Sequence, residues 1–185
     1  MQIHRDWTGL KAEARGASVA MGNFDGVHKG HRAVIDAARA ASDAPLGILT
    51  FEPHPREYFA PDAPPFRLMN SEARANRLSR LGVQHLYELP FGPVLAGLTP
   101  QAFAQEVLAD GLGIAHVTVG ADFCFGKNRA GTAQTLQDLG RTYGFGVTIV
   151  PLIGAGEAEY SSTAIRTALA QGLTHEAERM LGHWH

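Results

Sequence analysis

Gly22-Asn23-Phe24-Asp25-Gly26-Val27-His28-Lys29-Gly30-His31 is the stretch on which the fold turns. The short apolar run on its amino side, residues 17–22, predicts a β-strand. On its carboxyl side, from 28 to 42, Val34, Ile35, Ala37, Ala38 and Ala41 recur at helical spacing and predict an α-helix. Strand, glycine-bearing turn, helix is the opening unit of an α/β fold, and the rest of the chain repeats it. Further strands are predicted at 46–51, 83–89, 115–120 and 145–150. Helices are predicted at 71–81, stopped by Gly82, and from the Thr99-Pro100 cap pair to about Asp110. Three more follow at 132–143, 162–171 and 174–181. Residues 52–66 carry five prolines and predict a loop with stiff stretches.

The alternation predicts a five-stranded parallel sheet with helices on both faces. In such sheets ligands bind beyond the carboxyl ends of the strands, where the strand order reverses. Besides the opening stretch, three polar or glycine-bearing segments follow strands on that edge. They are Glu52-Pro53-His54-Pro55-Arg56, Ala121-Asp122-Phe123-Cys124-Phe125-Gly126 and Tyr160-Ser161-Ser162-Thr163-Ala164-Ile165-Arg166.

His28 and His31 are three apart, so in a first helical turn they share a face. The free N–H groups and the dipole of that turn attract anions, and Gly30 lets a phosphate approach the backbone. The same pair also reads as two surface histidines opening a helix, or as metal ligands. Helical zinc pairs more often sit four apart with acidic or cysteine partners, and no such set is found. One N-cap needs one hydroxyl; Ser161, Ser162 and Thr163 offer three, and Arg166 lies one turn further along. Together the two turns favour a polyphosphate site.

The bulk numbers bound the rest. With 185 residues, 45% hydrophobic and 18% charged, the chain fits one domain with a sizeable core. A net charge of -2 argues against a broad nucleic-acid surface. The single Cys124 allows no internal disulfide, residues 1–6 hold no apolar leader, and no run approaches the ~20 apolar residues of a membrane helix. A cytoplasmic protein with neither nucleic-acid nor membrane partners is expected.

Residues 22–31, with their Phe-Asp-Gly-Val-His form, resemble the H-x-G-H signature of the nucleotidyltransferase superfamily, in the branch of the FMN adenylyltransferase module of bacterial FAD synthetase. Phe51-Glu52-Pro53-His54-Pro55, Val119-Gly120-Ala121-Asp122-Phe123 with Phe125-Gly126, and residues 161–166 are similar to that family's other blocks, in its order. The resemblance implies a Rossmann-like nucleotidyltransferase fold and transfer of AMP from ATP to the phosphate of FMN, giving FAD and pyrophosphate. By it, His28, His31 and Arg166 are catalytic. Gly22, Asn23, Phe24, Asp25, Gly30, Ser161, Ser162 and Thr163 bind ATP, and His54, Arg56, Phe59, Asp122, Phe123 and Phe125 lie by the FMN. Magnesium is expected with ATP, its protein ligands unassigned. Family members carry a riboflavin kinase domain after this module, which these 185 residues do not encode. The family pattern has Arg where Cys124 stands and Asp where Thr132 stands.

Several readings stay open at this level. Asp25 caps its turn, orients a histidine or meets a metal; Phe59, Phe123 and Phe125 are core or flavin-stacking; Lys127 and Arg129 are solvated or meet the FMN phosphate. The rivals are a sister transferase with another phosphate acceptor and a non-catalytic flavin or nucleotide carrier. A class I aminoacyl-tRNA synthetase lacks its lysine-rich second signature here, and a Rossmann dehydrogenase lacks G-x-G-x-x-G.

Overall fold

Six strands, one more than the periodicity predicts, make a wholly parallel sheet in a computed structural model that describes residues 1–152, 154–155 and 158–183. For 154, 155, 158 and 159 only the backbone is described. The sheet strands are β1 (Gln2–His4), β2 (Ser18–Met21), β3 (Leu46–Glu52), β4 (His85–Pro90), β5 (His116–Gly120) and, after a short hairpin, β8 (Gly146–Val150). The hairpin pairs β6 (Cys124–Phe125) with β7 (Gly131–Thr132), and a second joins β9 (Gly154–Ala155) to β10 (Ala158–Glu159). The extra strand is β1, which pairs with β4 at the sheet edge. Three residues are too few for an alternation to register, and Ile3 is exposed.

The strand order is β1-β4-β3-β2-β5-β8. The chain steps outward from β2 through β3 to β4, then crosses back to β5, so the reversal lies between β2 and β5. Side chains alternate along each strand as the pleat requires. Val19, Met21, Leu49, Phe51, Tyr87, Leu89, Val117 and Val119 point into one core cluster, and Ala20, Leu46, Ile48 and Leu86 into the other.

Against the second cluster pack α1 (Lys29–Ala41), through Ile35 and Ala38, and α3 (Ser71–Arg80), through Leu78. The Ser18 hydroxyl donates to the Ala38 carbonyl at 2.6 Å and ties β2 to α1. The first cluster is covered by α5 and α6 (Ala133–Tyr143). Helix α5 opens at Pro100–Ala102 behind the Thr99 cap, then widens into a π-helix over Phe103–Gly111, where an ordinary helix was expected. The wider register buries Phe103, Ala104, Val107 and Leu108 and presses Gly111 against the Trp7 carbonyl, where a Cβ would come within 2.6 Å.

The proline-rich segment also differs from the loop expected. It contains α2 (Pro55–Phe59), with Pro55 in the first turn, His54 as N-cap and Glu57 closing a capping box. Pro93 similarly opens a short helix, α4 (Pro93–Gly97). The last two helices, α7 (Ser162–Ala170) and α8 (Thr174–Leu181), form a third cluster with Leu68. They lie against the turn that follows β2.

Candidate active site

The turn between β2 and α1 is strained and heavily anchored. Phe24 and Val27 hold positive φ angles of 51° and 43°, in a region that costs side-chain-bearing residues about 1–3 kcal/mol each. Both are buried, as is Asp25. The Asn23 carbonyl accepts from the Thr50 hydroxyl at 3.1 Å and from Arg74 at 3.3 Å. Arg74 is itself buried between Glu52, at 3.0 Å, and Glu88, at 2.9 Å.

Asp25 is the central anchor. One carboxylate oxygen accepts from the backbone N–H groups of Leu68 and Met69, at 2.9 and 3.2 Å. The other accepts from Arg166 at 2.9 Å, and the Asp25 carbonyl accepts from the Ser162 hydroxyl at 2.8 Å. These contacts give Asp25 a role outside the three weighed from the sequence: its carboxylate braces the turn, joining it to the 67–69 segment and to α7.

The two histidines stack face to face, ring centroids 3.6 Å apart and planes 19° off parallel. His28 caps α1, its Nδ1 accepting from the His31 backbone N–H at 3.2 Å. That bond assigns the ring proton of neutral His28 to Nε2, leaving an N–H donor on the opposite side of the ring. Burial, followed by the Arg166 charge, lowers His28 to about 4. Burial and then His28 hold His31 well below the ordinary imidazole range. Both rings are therefore neutral near pH 7. His31 Nδ1 is buried without a hydrogen-bond partner among the described residues, and the ring leans on Phe24 at 5.0 Å. Burying an unpaired polar atom is costly, and it is tolerated here beneath the stacked His28 ring.

At α7 the three hydroxyls are divided. Ser161 caps the helix, accepting from the Ala164 N–H at 3.1 Å; Ser162 donates to Asp25; Thr163 accepts from Arg166 at 3.3 Å. The backbone N–H groups of Ser162 and Thr163 lie in the first turn, where helix geometry gives them no intrahelical acceptor. The start of α1 meets the start of α7 at Gly30, where a Cβ would come within 2.8 Å of the Tyr160 carbonyl and 3.1 Å of the His28 ring. Glycine at 30 thus serves the approach of two helix starts, where the sequence suggested room for a phosphate. Lys29 reinforces the contact, its Nζ lying 5.5 Å from the Tyr160 ring centroid. Two helix N-termini, two imidazoles and a guanidinium converge here, with Asp25 facing Arg166.

Phe66, which sequence reasoning missed, is the hub beside them. Arg56 lies over its ring at 4.5 Å, Arg166 at 5.5 Å, and His54 meets it edge-on at 4.9 Å. His54 is thereby brought to the His28 turn, and burial lowers it first, with Asp25 opposing. A lone aromatic at the end of a proline-rich run carries no sequence signal. Arg67 and Arg74, which knit Glu52, Glu57 and Glu88 together, were missed for the same reason.

The remaining expected flavin residues lie along an aromatic run on the carboxyl edge. Phe59 is exposed and meets Phe91 edge-on at 5.7 Å; Phe91 meets Phe51 at 5.7 Å. Phe51 leads to Phe103 at 6.5 Å, and Phe103 to Phe125 at 5.7 Å. Phe125 is buried in the core, and Phe123 stacks on it at 5.8 Å with a more open face. Asp122 is exposed, its Oδ1 3.0 Å from where a Cβ on Gly120 would stand. Gly22 donates to the Leu49 carbonyl at 3.1 Å, and the Asn23 side chain is exposed at the mouth of the turn. Lys127 and Arg129 are exposed. Cys124 stands opposite Thr132 in the β6–β7 pair.

Among the described residues no cluster of three or more His, Cys, Asp or Glu is placed to hold a metal, and no helix is long and apolar enough to cross a membrane. Residues 10–164 match the FAD synthetase family model. A bifunctional riboflavin kinase/FMN adenylyltransferase of Pseudomonas fluorescens is 38% identical over 98% of this chain and 59% of its own length. An FAD synthetase of Listeria monocytogenes is 34% identical over 92% of this chain and 70% of its own. A solved Streptococcus pneumoniae structure, described as a macrolide-efflux protein, superposes with a TM-score of 0.84 at 28% identity, covering 98% of this chain and 61% of that one. The chain spans somewhat under three fifths of the bifunctional relative's length.

Proposed function

Because the chain belongs to the FAD synthetase family, we propose that it joins FMN to the AMP part of ATP, releasing pyrophosphate. The observation that carries this reading is the convergence of the α1 and α7 N-termini on one turn, with the donor side of His28 beside it. That is a site for a chain of phosphates.

The reaction asks little covalent chemistry of the protein. A phosphomonoester has its second pKa near ~6, so FMN arrives largely as a dianion and needs no general base. One of its phosphate oxygens forms a bond to the α-phosphorus of ATP as the bond to the bridging oxygen of the β-phosphate breaks. Pyrophosphate leaves with that electron pair, and no enzyme-bound intermediate forms. His28 and His31 donate to the triphosphate, as do the free N–H groups at the starts of α1 and α7. Arg166, held by Asp25, steadies the leaving group. Positioning and preorganised charge supply the rate. A pair of neutral imidazoles suits this task, because bound phosphates then raise their affinity for a proton where negative charge develops. ATP enters as its magnesium complex, an ion that typically keeps its waters and phosphate oxygens and few protein ligands. FMN lies along the aromatic run, between Phe59 and Phe123, with His54, Arg56 and Asp122 at its polar edge. A single thiol fits a reducing cytoplasm, where we place the protein.

The test is incubation of the purified chain with MgATP and FMN, with chromatographic detection of FAD and pyrophosphate. Equal amounts of both products are expected, and none from MgATP with riboflavin. Binding of both substrates without pyrophosphate release would make the protein a carrier. Turnover of another phosphate acceptor in preference to FMN would make it a sister transferase.

A further inference from the structure

A second concentration of positive charge lies away from the histidine turn. A cavity of about 490 Å3 runs along α3 to the end of α8, and its walls include Asn70, Asn76, Arg77, Arg80 and His183, with Leu68 at one end. Arg32 of α1 stands next to it, its guanidinium about 3.8 Å from where a Cβ on Gly182 would be. Arg32, Arg77 and Arg80 make no ion pair among the described residues. The nearest acid on α1, Asp36, is committed to Arg39 at 2.6 Å. Arg77 Nε is buried without an acceptor, and burial, then Arg32 and Arg80, lower its proton affinity. Three neighbouring guanidiniums without an ion-pair partner repel, and a buried N–H without an acceptor adds to the cost. An anion between Arg77 and Arg80 removes the repulsion, and Leu68, Met69 and Leu181 supply an apolar wall for an organic body.

We propose that this cavity is a second anion site, which takes the phosphate end of a phosphorylated small molecule between Arg77 and Arg80, with Arg32 at its rim. The site is distinct from the histidine turn and shares its supports. Leu68 and Met69, in the cavity wall, give their backbone N–H groups to Asp25, and the His183 ring, also in the wall, donates to the Gly26 carbonyl at 3.0 Å. A ligand seated there braces both bonds and with them the turn that carries His28.

The probe is inorganic pyrophosphate, titrated into the folded chain at constant ionic strength while the arginine Nε–Hε signals are followed by NMR. The Arg77 signal is expected to shift saturably and to keep shifting in His28→Ala, whose first site is impaired. Arg80→Gln, at an exposed position, is expected to fold normally, keep its basal FAD formation and weaken the Arg77 titration about tenfold. Three results would overturn the proposal. They are an Arg77 signal that moves equally with sodium chloride, one that ignores Arg80→Gln, and shifts confined to residues 28–31 and 161–163.

Discussion

At the scale of single residues, the proposed function gives the two histidines a part in the chemistry and Asp25 a part in support. His28→Ala and His31→Ala are each expected to lower kcat by about 10²–10³, the usual cost of one preorganised donor. Steady-state FAD formation at saturating MgATP, with circular dichroism as the check on folding, measures this. Near-normal turnover in either variant would reduce that histidine to a helix-opening residue. Asp25→Asn behaves differently. The amide keeps an acceptor for Leu68 and Met69 but turns a donor toward Arg166, breaking a largely buried pair. A stability loss of about 3 kcal/mol is expected in urea unfolding, together with lower turnover. The sequence singled out residues 28–31 and 161–166 as candidates, because a glycine turn, paired histidines and hydroxyls before a helix are local signals. It did not show what Asp25 touches. Its partners lie 43 and 141 residues away, and no periodicity encodes such a contact.

At the scale of elements, the strand and helix periods were legible and the departures have local causes. β1 was too short to alternate, and α2 was masked by a run of prolines of which one, Pro55, opens the helix. The π-helix was invisible because its buried residues still recur at near-helical spacing. Gly30 is an element-level residue, since it sets how near α1 comes to α7. On propensity alone Gly30→Ala gains up to ~1 kcal/mol in α1. Its Cβ would meet the Tyr160 carbonyl, however, so the two helix starts must part. The expected outcome is a raised KM for ATP with little loss of melting temperature, measured by initial rates across ATP concentrations. Two of the departures from the family pattern, Cys124 and Thr132, are cross-strand neighbours and so form one local change. Thr132 also caps α6, its hydroxyl accepting from the Thr135 N–H at 3.2 Å. Asp is an equally good cap, which lets the position vary. Thr132→Ala is expected to cost about 1 kcal/mol in urea unfolding, and Thr132→Asp almost nothing.

For the whole molecule, buried neutral histidines make stability depend on pH. The folded His28 value is lowered to about 4, against ~6.5 in an unfolded chain. Between those values the unfolded chain binds a proton that the folded one refuses, so stability falls as pH falls through that window. His28 alone accounts for at most about 3 kcal/mol between pH 7 and pH 4. His31 is lowered by burial too and acts in the same direction. Urea midpoints at pH 7.5 and 4.5 are expected to show the loss, smaller in His28→Gln and smaller in wild type with MgATP present. A slope unchanged by His28→Gln would mean that other groups carry the acid sensitivity.

The bond between Arg166 and Asp25 spans 141 residues, and that between His183 and Gly26 spans 157. The sheet itself is complete at Val150. A chain emerging from the ribosome therefore has every strand of the six-stranded sheet in hand before the turn behind β2 can be clamped. Until α7 arrives, the strained backbone at Phe24 and Val27 lacks its guanidinium brace, and the second helix start is missing from the proposed phosphate site. On the proposed function the centre is thus completed only after the sheet that carries it, and a chain stalled or clipped before α7 is expected to form no FAD.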